Sequence, residues 1–252
     1  MGIPFLLDQR ASILGFKRWI ELDYDKSPHV LWCGRTRSGK TVAAKTLLAR
    51  TVLLAPPELQ PVELTIIDPK EDTDFNYLSG LPRFYRGEES PQGLSNFFDA
   101  YLKRKQNKDF SKNLKVCFVD EFQSLINLIS DKKDKEKAQR NLNLLLTLSA
   151  SRNFSIQMAT QVPSAKIFGE TGSASREQFG AVCLLGDSDG SETQQMLFDS
   201  KNRQIISDYG SIGSRGVGWI SVSSGEVEPF KVGFINDMDK LNAVIRDNLI
   251  QG

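Results

Sequence analysis

Eight residues constrain this chain more than any others. Gly34–Thr41 reads Gly-Arg-Thr-Arg-Ser-Gly-Lys-Thr and fits G-x-x-x-x-G-K-[ST] at every defined position. Such glycines let the backbone curl until successive N–H groups point inward at one anion, and a following helix turns its positive end to the same charge. Only a strand–turn–helix unit holds a loop of this kind, and the flanking sequence supplies one. His29–Cys33 is an apolar strand, and Thr41–Leu54 reads as the helix. Gly34, Arg35, Thr36, Arg37, Ser38, Gly39, Lys40, Thr41 and Val42 then form the cradle for a nucleotide. Lys40 reaches the β- and γ-phosphates, and the Thr41 hydroxyl ligates Mg²⁺.

Strand-like runs recur at Val62–Ile67, Val116–Val119, Phe154–Ala159 and Ala181–Leu185. Between them lie helical stripes: Leu94, Phe97, Phe98, Tyr101 and Leu102; a helix from Phe122; and Ala138, Leu142, Leu145 and Ser149. This alternation predicts an α/β fold with a mainly parallel central sheet flanked by helices. VGWISV and VEPFKVGFI read as a hairpin at the sheet edge, and Asp237–Ile250 as a closing helix. All 252 residues are expected to form one domain, with 1–27 as a strand segment packed on a 28–236 core and 237–252 as the terminal helix.

A second motif completes the expected site. KVCFVDE ends a buried strand in Asp120 and Glu121, at the sheet edge where ligands of open α/β sheets bind. Asp120 suits the Mg²⁺ shell, and Glu121 suits taking a proton from an attacking water. A glutamate directly after the metal aspartate favours ATP chemistry with a dedicated base. Asn107-Lys108-Asp109-Phe110 misses the guanine-reading N-K-x-D because its aspartate comes one place early. Gln161, after the next strand, is placed to bond both the γ-phosphate side and the lytic water. If that strand inserts between those of the P-loop and Asp120, Ser155 and Gln157 must find buried partners.

Composition sets the outer limits. With 40% hydrophobic and 25% charged residues the chain is neither disordered nor collagenous, and no apolar run approaches the ~18 residues of a membrane helix. The first residues lack the pattern of a signal peptide, so the expected location is the cytoplasm. A net charge of +1 means any polyanion is held by local charge. Cys33, Cys117 and Cys183 sit in apolar runs and read as buried small hydrophobes; with His29 the only histidine, zinc is discounted.

Together these residues resemble the FtsK/HerA superfamily of hexameric DNA-pumping ATPases of RecA-like fold, nearest to the coupling ATPases of conjugative elements. The resemblance runs from about Pro28 to Phe234. It takes in Pro28-His29, Asp68-Pro69-Lys70, Val119-Asp120-Glu121, Ala159-Thr160-Gln161, Ser175–Gly180 with Leu185-Gly186, and Ser214-Arg215-Gly216. It implies ATP and Mg²⁺ as cofactors, a homohexameric ring, DNA as the polymer moved, and a relaxase, replication or membrane-channel protein as a further partner. His29 reads either as a structural group holding a backbone carbonyl or as the family's Pro-His. Asp68 and Lys70 read either as an ion pair at a strand end or as lining of the site.

The resemblance also implies an arginine acting on a neighbouring subunit's nucleotide. The sequence departs there, with Ala181 and Val182 at the family's usual place, and Arg176 and Arg215 are the preferred substitutes, ahead of Arg152 and Arg203. DNA-facing loops are expected at Ser130–Lys137, with Lys132, Lys133 and Lys135, and at Pro163–Gln178, with Lys166. SDKKDKEK also reads as a mixed-sign solvated loop, and Lys103–Lys108 as an exposed helix end. The alternative function is a P-loop ATPase that remodels or docks protein in secretion or virion assembly.

Overall fold

The apolar run ahead of the P-loop folds as a fully buried strand, β3 (Val30–Gly34), at the centre of the sheet. The computed structural model describes residues 2–186, 192–213, 215–233 and 236–251. The other strands are β1 (Ile3–Asp8), β2 (Trp19–Leu22), β4 (Glu63–Asp68), β5 (Phe84–Arg86), β6 (Lys115–Asp120), β7 (Phe154–Thr160), β8 (Ala181–Leu185), β9 (Val217–Val222) and β10 (Glu228–Lys231). Helices are α1 (Gln9–Ile13), α2 (Lys40–Leu54), α3 (Ser90–Lys105), α4 (Phe122–Leu128), α5 (Lys132–Leu148), α6 (Gly172–Arg176), α7 (Glu192–Leu197), α8 (Ser200–Tyr209) and α9 (Met238–Gln251). Among the described residues the strands form one sheet in the order β2-β1-β10-β9-β8-β3-β7-β6-β4-β5.

The block β8-β3-β7-β6-β4-β5 is parallel, which explains why its strands are apolar without alternation: both faces are covered. Val30 and Trp32 join one core with Ala43, Leu47, Ile245 and Leu249 of α2 and α9. Leu31 points to the other face and packs with Phe97, Leu142 and Leu145 of α3 and α5. β7 inserts between β3 and β6, the placement the sequence left conditional, and every residue in it is buried. Its polar side chains find partners: Ser155 Oγ donates to Pro28 O at 2.5 Å, and Gln157 Nε2 to the Tyr24 hydroxyl at 3.2 Å. His29 is structural, its Nδ1 accepting from Ile156 N–H at 3.0 Å. Burial lowers its pKa to about 4, although the Leu146 backbone favours the protonated form, so the ring is neutral.

Three expectations are corrected. The hairpin β9–β10 does not end the sheet, because β1 pairs antiparallel with β10 and β2 adds beyond it. SDKKDKEK is not a loop but the start of α5: the Asp131 carboxylate caps the helix by accepting from Lys133 N–H and Asp134 N–H at 2.8 and 3.0 Å. Arg104, within the run taken as an exposed helix end, is buried. Its donors reach Asp109, Ser111, Asn113 and the Arg152 carbonyl. Ser214 and residues 234–235, which the sequence analysis included in the resembling turn and the hairpin, lie outside the described residues.

Candidate active site

The parallel strands all point their C-terminal ends to one edge, and the two sequence motifs meet there. β3 ends at Gly34 and opens into α2 through a turn that needs its glycines. Gly34 has φ +148° and Gly39 φ +103°, and a Cβ on Gly34 would lie 2.5 Å from Leu185 O. Arg37 also takes a positive φ, 66°. β6, separated from β3 by β7 alone, ends at Asp120; Glu121 follows at φ 68°, ψ 76° before α4 begins. A left-handed glutamate costs on the order of 1–3 kcal/mol and persists only where the surroundings enforce it.

A cleft of about 860 Å³ opens between the motifs, lined among others by Gly39, Lys40, Thr41, Asp120, Glu121, Gln161 and Arg215. Thr36, Arg37 and Val42 of the cradle also line it. Gly34, Arg35 and Ser38 are not among the lining residues; Gly34 and Ser38 are buried in the turn and Arg35 is exposed. The Ser38 hydroxyl is buried without a hydrogen-bond partner among the described residues, and Ser38 O accepts from Gly216 N–H at 2.9 Å. That bond ties the P-loop to the turn carrying Arg215.

Lys40 folds over its own loop, Nζ donating to Gly34 O at 2.7 Å and Arg35 O at 3.0 Å. Burial lowers its pKa, with Glu121 and Asp120 acting against that shift. Asp120 is pushed up to about 7, first by burial and then by the nearby Asp68 carboxylate. A buried carboxylate of this kind gains from an arriving cation. Asp120 and the Thr41 hydroxyl make a hard oxygen pair that fits Mg²⁺, whose remaining ligands are normally phosphate and water. Among the described residues no group of three or more His, Cys, Asp or Glu could hold a metal ion.

Glu121 is held by donors from two neighbouring strands. Oε1 accepts from Thr160 Oγ1 at 3.1 Å and Gln161 N–H at 3.3 Å; Oε2 accepts from Lys70 Nζ at 3.2 Å. Lys70 therefore lines the site, while Asp68 pairs with Arg86 Nε at 3.6 Å instead of with Lys70. Gln161 contributes through its backbone N–H as well as its place on the cleft wall.

Not every expected residue gathers here. Arg176 is not among the cleft-lining residues; its Nη1 donates to Pro163 O at 3.1 Å. Lys132, Lys133, Lys135 and Lys166 also lie elsewhere, although their two segments adjoin. Gln139 Nε2 of α5 donates to Lys166 O at 3.3 Å and Ile167 O at 3.1 Å. Sequence reasoning missed Asp72, Thr73, Asp74, Val232, Gly233 and Met238, which complete the walls. No motif marks Val232, Gly233 or Met238; Val232 is tied beside Arg215 by its N–H donating to Gly216 O at 2.7 Å, and Met238 opens α9.

Solved structures that share the fold include three of particular relevance. The cytoplasmic domain of the type VII secretion ATPase EccC of Thermomonospora curvata superposes with a TM-score of 0.68 at 17% identity, covering 99% of this chain and 31% of that one. The pCW3 conjugation coupling protein TcpA gives 0.66 at 16%, covering 98% of this chain and 70% of that one. VirB4 of Thermoanaerobacter pseudethanolicus gives 0.61 at 11%, covering 93% and 97%. This chain thus spans under a third of EccC, and at these identities the likeness is one of RecA-like P-loop architecture. No curated protein matches the chain by sequence. Among the described residues no helix is long and apolar enough to cross a membrane. The FtsK/SpoIIIE family model matches residues 10–166, more than half of the chain and inclusive of both motifs that meet in the cleft, and the protein belongs to the FtsK/SpoIIIE family.

Proposed function

We propose that this chain is the motor of an ATP-driven DNA translocase, working in the cytoplasm as a ring of copies, six in the family resemblance. The observation that carries the catalytic part is the convergence of Lys40, Thr41, Asp120, Glu121 and Gln161 on one cleft. Gly34–Val42 cradle the phosphates, Lys40 leaves its backbone carbonyls for the β- and γ-phosphates, and Thr41 with Asp120 hold Mg²⁺, which supplies charge neutralisation when bound. Glu121 accepts the proton of a water whose oxygen bonds to the γ-phosphorus. The bond to the bridging oxygen breaks, and ADP departs with the electron pair. Gln161 orients that water. Arg215 stands in its own chain's cleft, so its role falls on the nucleotide bound there; of the two preferred arginines, Arg176 is the one left to serve a neighbouring copy.

For the cargo, support comes from the FtsK/SpoIIIE match and from charge. Lys132 and Lys133 are exposed on the first turn of α5, where cations oppose the helix dipole, and Lys166 is exposed on the adjoining segment. A polyanion would offset both. The likeness to a secretion ATPase favours a second reading, in which the same hydrolysis drives a protein. ATP turnover measured with and without duplex and single-stranded DNA, at low and moderate salt, separates them. Stimulation that fades with salt supports DNA; no stimulation and no salt-dependent binding rejects it.

A further inference from the structure

The cleft sets two demands on one lysine. Lys70 follows Pro69 at the end of β4, and its Nζ sits 3.2 Å from Glu121 Oε2. Glu121 Oε1 already takes the Thr160 hydroxyl and the Gln161 N–H, so Lys70 fills the acceptor oxygen that the strand donors leave. The two partners are unequal in freedom: the Lys70 side chain is 36% exposed and the Glu121 side chain 9%. The backbone around Lys70 is braced, since Arg86 Nη2 donates to Glu71 O at 2.6 Å and pairs through Nε with Asp68. What can move is the lysine side chain, on a fixed base. Lys70 and Lys40 line the same cleft, so a terminal phosphate held by Lys40 lies within the space Lys70 also borders. That phosphate carries more negative charge than a carboxylate and accepts stronger charge-assisted hydrogen bonds.

We infer that Lys70 is a positioning residue shared between Glu121 and the γ-phosphate: with ADP or no nucleotide it covers Glu121 Oε2, and with a triphosphate it transfers to the phosphate and frees that oxygen to face water. The inference deepens the proposed function and rests on its assignment of Glu121 as the base. It makes the glutamate and the γ-phosphate competitors for one cation. Weakening the glutamate's hold must therefore strengthen triphosphate binding, through Lys70 alone.

The test is a double-mutant cycle on the affinities of the full chain for Mg-ATPγS and Mg-ADP. Glu121→Gln should tighten ATPγS about tenfold and leave ADP unchanged, as one charge-assisted bond is no longer divided. In Lys70→Ala the same Glu121→Gln change should give no gain, and Lys70→Ala alone should lower the ATPγS-to-ADP preference. Lys70→Arg should restore both the preference and the gain, a rescue that a merely structural role would not show. A Glu121→Gln gain that survives in Lys70→Ala would mean simple removal of repulsion and would overturn the inference, as would an unchanged ATPγS-to-ADP ratio in Glu121→Gln. The base assignment fails separately, if Glu121→Gln still turns ATP over while the binding cycle behaves as expected.

Discussion

The two ends of the sheet bury charge in opposite ways. At the N-terminal end, Arg104 spends all five guanidinium donors: Nε on Asp109, Nη1 on the Asn113 and Arg152 carbonyls, Nη2 on Ser111 and the Asn113 side chain, all between 2.6 and 3.0 Å. Its plane also lies 4.8 Å from the Phe154 ring centroid. Nothing there awaits a ligand. At the C-terminal end, Lys40 leans on its own loop's carbonyls, the Ser38 hydroxyl has no partner among the described residues, Glu121 holds a left-handed backbone, and Asp120 is buried beside a second carboxylate. One end is finished by the chain itself; the other is paired provisionally, and that incompleteness marks the place where a charged substrate belongs.

The contrast breaks most readily at Glu121. Glu121→Gln should lower kcat by about 10²–10⁴-fold, the usual worth of a positioned base, while ATPγS still binds; steady-state turnover and equilibrium binding read the two together. Lys40→Ala should weaken ATP and ADP alike, because the cradle loses its cation for both.

At the finished end the effect should be on stability. Arg104→Ala strands Asp109 and several buried carbonyls and should cost about 3–5 kcal/mol in urea unfolding. Turnover per folded molecule, measured well below the melting temperature, should stay near wild type. A large loss of kcat there would erase the distinction between the two ends.

Asp120 offers a subtler test. Its folded pKa of about 7 lies above the ordinary aspartate value of 3.8, so the folded state binds the extra proton between those values, and stability falls as pH rises through that window. The nucleotide-free protein should therefore lose a few degrees of melting temperature from this group between pH 5 and pH 8. Asp120→Asn should flatten that slope, and Mg²⁺ with ATPγS should oppose it. Smallest of all, Lys132→Glu with Lys133→Glu should raise melting slightly, because acids suit the first turn of α5, and reduce any DNA stimulation several-fold, since both side chains are exposed.

Much of the nucleotide end was legible because its chemistry is local. The P-loop needs consecutive residues, and the Asp120 strand declares itself by four apolar residues before a carboxylate pair. The Phe154–Ala159 run is legible as a strand, but its insertion between β3 and β6 stays conditional in the sequence, because Ser155 and Gln157 break the apolar pattern of a wholly buried parallel strand. What escaped was long-range or hidden by composition. The mixed charges of SDKKDKEK mask a helix whose one local signal is Asp131 as cap. Arg104 looks like its basic neighbours until Asp109, Ser111 and Asn113 are seen to converge on it. The sequence left Lys70 between two roles, and only the adjacency of β4 and β6 brings it to Glu121.

The small antiparallel unit formed by β1 and β2 carries a practical corollary. Trimming the protein to begin at Pro28, where the motifs begin, would strip the neighbour from β10 and leave its outer hydrogen-bonding groups bare over Phe230 and Lys231. An uncovered rim of that kind invites a second molecule to add a strand. Shortened versions chosen by motif alone should therefore clump, and recombinant work gains by keeping Ile3–Leu22 in place.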